Sequence, residues 1–304
     1  MSLHNFETVL AKLQGQPIRE AKLMGMGEPY LHPQFDEICR LFKEAFPLAR
    51  LITSTNCQYT MTESFKRSLQ WVDYLYLSID GWEANYERDR QPARWSKLLS
   101  FLEELRDLPR YGCQVAVNYV VNPHNIDDIP LVNNLLTCYN IDELRLNIAQ
   151  DWNEDGSATL EYSAHDMDKL KVWARLIKGK TPWTYSDCWW PTRGFYSTVE
   201  GRVLTCPLNT AAKEHGNILA QSLSTVRSSK SLTTLAQGCA SNQPTAHCRN
   251  CSYRQLAPLL SELGVWRLIP DTIKSTECLL TICSIVNSIA YMLVNEINHG
   301  HQSY

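Results

Sequence analysis

Short apolar runs alternate with longer amphipathic ones from about residue 4 to residue 178. The amphipathic runs repeat their apolar positions every three or four residues, the helical period, and the short runs have the length and bounding turn residues of strands. The first helix is predicted at "NFETVLAKL", before a strand ending at Met24. The order then runs helix "FDEICRLFKEAF", strand "ARLIT", helix "ESFKRSL", strand "YLYLSI", helix "WSKLLSFLEELRDL", strand "VAVNYVV", helix "IPLVNNLLTCY", strand "ELRLNI" and helix "AHDMDKLKVWARLI". Strands separated by helices pair in parallel through right-handed crossovers, so the pattern predicts an α/β fold.

In such folds ligands gather beyond the C-terminal ends of the strands. Here those ends read Gly25-Met26-Gly27-Glu28-Pro29, Thr53-Ser54-Thr55-Asn56, Ser78-Ile79-Asp80-Gly81, Asn122-Pro123-His124-Asn125 and Asn147-Ile148-Ala149-Gln150. Each is small or polar after an apolar strand, and together on one rim they would line a polar pocket. Taken singly they also satisfy plain turn chemistry, since Asp, Asn, Pro and Gly punctuate loops for backbone reasons. In the first of them, glycine lets a backbone approach a ligand closely, Glu28 brings a carboxylate and Pro29 stiffens the exit from the strand.

The series GMGEP, TSTN, SIDG, VVNPHN and LRLN resembles the radical S-adenosylmethionine (SAM) superfamily, whose partial (β/α)6 barrel holds SAM. The resemblance implies that Gly25, Met26, Gly27, Glu28 and Pro29 contact the methionine end of SAM, with Glu28 facing its ammonium. It also places Thr55, Asn56, Ser78, Asp80 and Asn118 along the same cavity. Members of that superfamily carry a radical-generating 4Fe-4S cluster on three cysteines spaced CxxxCxxC after their first strand. No such triplet occurs among the eleven cysteines of this chain, and "MSLHNFETVL" looks like the helix that follows that loop. The chain as given is therefore not expected to generate a radical, and it reads either as a truncated form or as a degenerate relative that keeps the scaffold. Without the family's first strand, the edge of the "AKLM" strand is expected to stand unpaired, a liability in a folded protein that favours truncation.

A second cysteine set lies further on. Cys188, Gly201 and Cys206 read Cx12Gx4C, and "HCRNC" supplies Cys248 and Cys251 as a CxxC pair. The segment "STVEGRVLTC" reads as a hairpin with Gly201 in its turn. Residues 188 to 254 resemble the SPASM domain, an iron-sulfur module of many radical SAM enzymes, in its short form with one auxiliary cluster. The resemblance implies one 4Fe-4S cluster on Cys188, Cys206, Cys248 and Cys251; four thiolates close such a cluster to substrate. Structural zinc also takes four thiolates and stays open as an alternative, although zinc ribbons usually pair two CxxC knuckles. Cys39, Cys113 and Cys138 are expected in the core, as is Cys57, and Cys239 matches no ligand spacing.

The expected organisation is an incomplete barrel over residues 1–180, a SPASM domain over 181–256 and a helical tail over 257–304. In that tail, Cys278 to Val294 runs seventeen residues without a charge, short of the roughly 20 that span a bilayer, and is expected to be a buried helix. The N-terminus lacks a signal sequence, so a cytoplasmic protein is expected. A net charge of −3 with no basic block gives no electrostatic case for nucleic acid. SPASM-bearing members of the resembled family modify peptides or proteins, which implies a peptide or protein substrate. A non-catalytic scaffold that holds a peptide for a partner enzyme is a second reading. The sequence gives no basis for an oligomeric state.

Overall fold

The computed structural model describes residues 1–25, 27–149, 163–166, 168–170, 190–207, 214–241, 243, 248 and 278–282. Helix α1 (Leu3–Leu13) is started by Ser2, whose hydroxyl accepts from the Asn5 N–H, and it buries Phe6, Val9, Leu10 and Leu13 along one face. Helices α2 (Phe35–Ala45) and α5 (Trp95–Arg106) use the same spacing, burying Phe35, Ile38, Cys39 and Phe42 in one and Leu98, Phe101, Leu102 and Leu105 in the other. Helices α3 (Glu63–Ser68), α4 (Glu83–Asp89) and α6 (Ile129–Cys138) complete the set in this region.

Between the helices lie β1 (Ile18–Leu23), β2 (Arg50–Thr55), β3 (Tyr74–Ser78), β4 (Gln114–Val121) and β5 (Glu143–Ile148). They pair in chain order and in parallel. Alternate residues give the sheet two unlike faces. One carries Ala21, Leu23, Leu51, Leu75, Leu77, Val115, Val117, Leu144 and Leu146 against the helices, in one continuous apolar core. Each leucine and valine among them contributes about 1.5–3 kcal/mol by leaving water. The other face carries a small apolar cluster of Met24, Ile52, Tyr74, Tyr76 and Ala116, and polar residues elsewhere.

Beyond β5 the described chain resumes at a short helix, α7 (Trp190–Arg193), followed by β6 (Gly194–Ser197) and β7 (Arg202–Leu204), which pair antiparallel. The turn between them closes with Gly201 at φ +81°, where a Cβ would meet the Leu219 side chain at 2.6 Å. Strand β8 (Gly216–Asn217) lies against β7, and helices α8 (Leu223–Arg227) and α9 (Lys230–Ala240) follow. This module is docked on α1, whose Lys12 ammonium donates to the carbonyls of Ile218, Leu219 and Gln221 at 2.7, 2.9 and 3.0 Å.

Three sequence expectations change here. Cys278–Ile282, expected at the start of a buried helix, is strand β9, parallel to β1 on one side and to β6 on the other. The edge of β1 is consequently paired rather than open, because an apolar, β-branched run satisfies a strand as readily as a helix. The remainder of the expected helix, residues 283–294, lies outside the described residues. Cys138 is exposed at the end of α6 instead of buried. Helix α4 was hidden in sequence by its short, charge-rich composition. Among the described residues no helix is long and apolar enough to cross a membrane.

Candidate functional site

The C-terminal ends of β1 to β4 meet through hydrogen bonds that the turn residues supply. Glu28, after β1, accepts from the Asn56 N–H at 2.6 Å and the Tyr30 N–H at 3.3 Å, so its carboxylate ties the loop after β1 to the loop after β2. Burial pushes its pKa up to about 7, against the pull of those two N–H groups. Pro29 opens the short 3-10 turn Pro29–Leu31 that carries the chain into α2. Asn56 receives the Gln58 N–H on its Oδ1 at 2.9 Å and shapes the second loop.

After β3, Asp80 is buried and accepts from the Val120 N–H at 2.7 Å while pairing with Arg90 at 2.6 Å. Burial raises its pKa, with Arg90 and the Val120 N–H opposing. Asn125 completes this corner: its amide donates to the carbonyls of Asp80 at 3.1 Å and Val120 at 2.9 Å. Thr55 turns toward the helices, where its hydroxyl contacts Tyr59 at 3.1 Å and accepts from the Cys57 N–H at 3.1 Å. Cys57 is fully buried in the same core.

Ser78 and Asn118 behave differently. They are partners in the β3–β4 register, both partly exposed, and lie on the sheet face away from the helices. Asn118 accepts from the Asn147 side chain at 2.7 Å, which leaves its own amide N–H donors open among the described residues. Of the sequence-selected residues, the structure thus brings Gly25, Gly27, Glu28, Pro29, Asn56, Ser78 and Asn118 to one end of the parallel sheet. Asp80 and Thr55 serve the loops and core beneath it, and Met26 lies outside the described residues.

The second sheet face holds groups that the motif reading passed over. Lys22 is 1 % exposed and pairs with Glu20 at 3.4 Å, which also faces Arg50 at 3.9 Å. Burial lowers the Lys22 pKa, with Glu20 opposing. Arg145 donates to Glu143 at 2.9 Å and to the Tyr76 hydroxyl, and its guanidinium lies 4.6 Å and 5.1 Å from the Tyr74 and Tyr76 ring centres. Tyr74 donates to the other oxygen of Glu143. The sequence signal was available: a sheet covered on both faces gives nearly continuous apolar strands, and "EAKLM" and "ELRLN" interrupt that pattern at alternate positions.

Of the four expected metal ligands, Cys206 and Cys248 are described; Cys188 and Cys251 are not. Cys206 is buried just after β7, next to Thr205, whose hydroxyl bonds His215 at 2.9 Å; His215 reaches Ser231 of α9 at 2.9 Å. Cys248 packs on the apolar cluster of α9 formed by Leu232, Leu235 and Cys239. Both thiols therefore belong to one small module built around α9. Among the described residues alone, no group of three potential metal ligands is assembled.

No family model matches the chain. No curated protein matches it either. Solved structures do. AnSMEcpe with bound AdoMet superposes with a TM-score of 0.64 at 15% identity, covering 86% of this chain and 83% of that one. Streptococcus suis SuiB bound to its precursor peptide SuiA gives 0.60 at 13% identity, over 83% of this chain and 63% of SuiB. SuiB alone gives 0.59 at 13% identity, and the chain spans only 61% of its length. At 13–15% identity these superpositions show a shared fold, a parallel α/β sheet consistent with the radical SAM type.

Proposed function

We propose that the chain is a radical-SAM-type protein that holds SAM at the C-terminal rim of its parallel sheet and acts on, or presents, a peptide or protein. The observation that carries this reading is the gathering of Gly25, Gly27, Asn56, Ser78 and Asn118 at one rim, with open donors at Asn118 and the two leading loops locked by Glu28. Glu28 spends both carboxylate oxygens on backbone N–H groups, so its role here is positioning, and the small and amide residues around it would make the contacts. SAM supplies an electrophilic sulfonium when bound. A neighbour solved with AdoMet and another with a precursor peptide support the cofactor and substrate classes.

The 304 residues contain no CxxxCxxC. The residues present do not fit the radical-generating cluster, and no radical step is assigned to them. For the auxiliary cluster, Cys206 and Cys248 in one module, with Cys188 and the CxxC partner Cys251 adjoining in sequence, supply the right donor chemistry for one 4Fe-4S cluster. We accordingly divide the chain into a barrel-like region over residues 1–180 and a SPASM-like module over 181–256.

Calorimetry with SAM tests the rim. One molecule is expected to bind per chain, and Asn118→Leu, which removes two donors, should weaken binding by about 10-fold, the loss expected for one hydrogen bond to a charged ligand. Absence of SAM binding by the unmutated protein would remove the cofactor. Iron and sulfide analysis of anaerobically purified protein tests the module, and a colourless protein with zinc and no iron would replace the cluster by a structural metal.

A further inference from the structure

Five consecutive N–H groups, from Asn217 to Gln221, are taken up within their own loop or by the hairpin beside it. The Asn217 N–H donates to Gln221 Oε1 and the Leu219 N–H to Asn217 Oδ1, each at 2.8 Å. Ala220 and Gln221 both donate to the Asn217 carbonyl, at 3.2 and 2.8 Å, and Ile218 donates to the Gly201 carbonyl at 2.8 Å. With its donors engaged in this way, the loop turns the carbonyls of Ile218, Leu219 and Gln221 toward one point. They converge on the Lys12 Nζ, at 2.7, 2.9 and 3.0 Å. The arrangement is the reverse of the backbone concavity whose N–H groups hold anions: oxygens face the ligand, and the charge they select is positive.

Lys12 differs in this from Lys22, Lys43 and Arg90, which pair with the carboxylates of Glu20, Asp73 and Asp80. Its three N–H donors go to three neutral carbonyls, and among the described residues no carboxylate pairs with it. Backbone oxygens replace the water shell of potassium in the same way. The spacing is too wide for calcium, which lies about 2.3–2.6 Å from its oxygens, or for magnesium at about 2.0–2.1 Å, and both ions favour charged carboxylates. We infer that the loop of residues 217–221 is a site for a monovalent cation of the ammonium and potassium class, and that its resident ligand is the Lys12 side chain. Lys12 stands in the last turn of α1, and the loop continues from β8, which pairs with β7 just ahead of Cys206. The tethered cation therefore orients the module on α1 by directed contacts, where apolar packing alone fixes only proximity. The inference depends on neither SAM nor a cluster.

The test uses the full chain with Lys12→Ala, which removes the amine and leaves the three carbonyls. Its Tm should fall by roughly 5 °C, the loss expected for hydrogen bonds to a charged group. Methylammonium chloride, which brings the same charge and three N–H donors, and potassium chloride should each restore about 3 °C at roughly ten times the midpoint of their own titrations. Tetramethylammonium chloride at the same concentration has the charge without the donors and should restore nothing. Lys12→Met keeps an apolar stem in the space and should lose a similar amount with no difference among the three salts. An unchanged Tm in Lys12→Ala, equal effects of the three salts on it, or the same salt selectivity in Lys12→Met overturns the inference. A Lys12→Ala chain that stays unfolded in all three salts also overturns it, because refilling the site is expected to recover the fold.

Discussion

The parallel sheet of β1–β5 and the antiparallel module of β6–β8 are held together by different means. The first has strands of five to eight residues whose helix-facing side chains are almost all fully buried. The second has strands of four, three and two residues. It depends on specific hydrogen bonds: the Asn217 side chain accepts from the Leu219 N–H at 2.8 Å and donates to the Glu200 carbonyl at 3.0 Å, and its backbone N–H donates to Gln221 Oε1 at 2.8 Å. Phe195, Val203, Ile218, Leu223 and Val226 nevertheless belong to the same apolar core as the parallel region. The comparison teaches that the module borrows its core from its neighbour and adds local turn chemistry.

Strand β9 is the backbone link between the two regions, and breaking it should have the largest effect. Leu280 is opposite Ala21 on one side and Phe195 on the other. Leu280→Pro removes an N–H from a strand paired on both edges, which costs about 3 kcal/mol or more. Urea unfolding followed by far-UV circular dichroism should then show the midpoint moved down and the transition split in two. A single transition at the unmutated midpoint would mean that β9 carries no share of the connection between the regions.

The rim ties differ between the regions in their response to pH, which gives an intermediate effect. Glu28 titrates near the ordinary glutamate value of 4.5 when unfolded but at about 7 when folded. Between those values the folded state binds more protons, so stability falls as pH rises from about 4.5 to 7 and levels above. A shift of this size corresponds to a change of up to about 3 kcal/mol. Glu28→Gln should flatten that fall in urea midpoints measured from pH 4.5 to 8. The tie in the module uses Asn217 and Gln221, which do not titrate. An unchanged slope in Glu28→Gln would place the pH dependence elsewhere.

How legible each region was in the sequence follows from these same means. The parallel strands were read within a residue or two, because Leu51, Leu75, Leu77 and Val117 mark a buried face by alternation and the helices between them repeat at their own period. The gathering of strand ends followed from topology alone. The division of labour at those ends was not legible: nothing in "GEP" or "SIDG" states that Glu28 is consumed by backbone N–H groups and Asp80 by the Val120 N–H and Arg90, since that depends on which loop arrives beside them. The charged second face was legible in principle, as the lysine of "EAKLM" and the arginine of "ELRLN" sit at alternating positions. Motif reading stopped at the strand ends and passed over them. Strand β9 was misread because periodicity does not separate a short apolar strand from a buried helix.

The smallest predicted effect compares the two regions with matched chemistry. Thr62 starts α3 by accepting the Phe65 N–H at 3.1 Å, and Ser222 starts α8 by accepting the Thr225 N–H at the same 3.1 Å. Each hydroxyl satisfies one of the helix-start N–H groups that lack a partner within the helix, so Thr62→Ala and Ser222→Ala should each cost about 1 kcal/mol. Because the core is continuous across both regions, the two variants are expected to lower the midpoint of one cooperative transition by equal amounts. If Ser222→Ala instead shifts an early phase and leaves the main transition in place, the module unfolds on its own, and the shared residues Phe195, Val203 and Ile218 contribute less to it than its turn chemistry does.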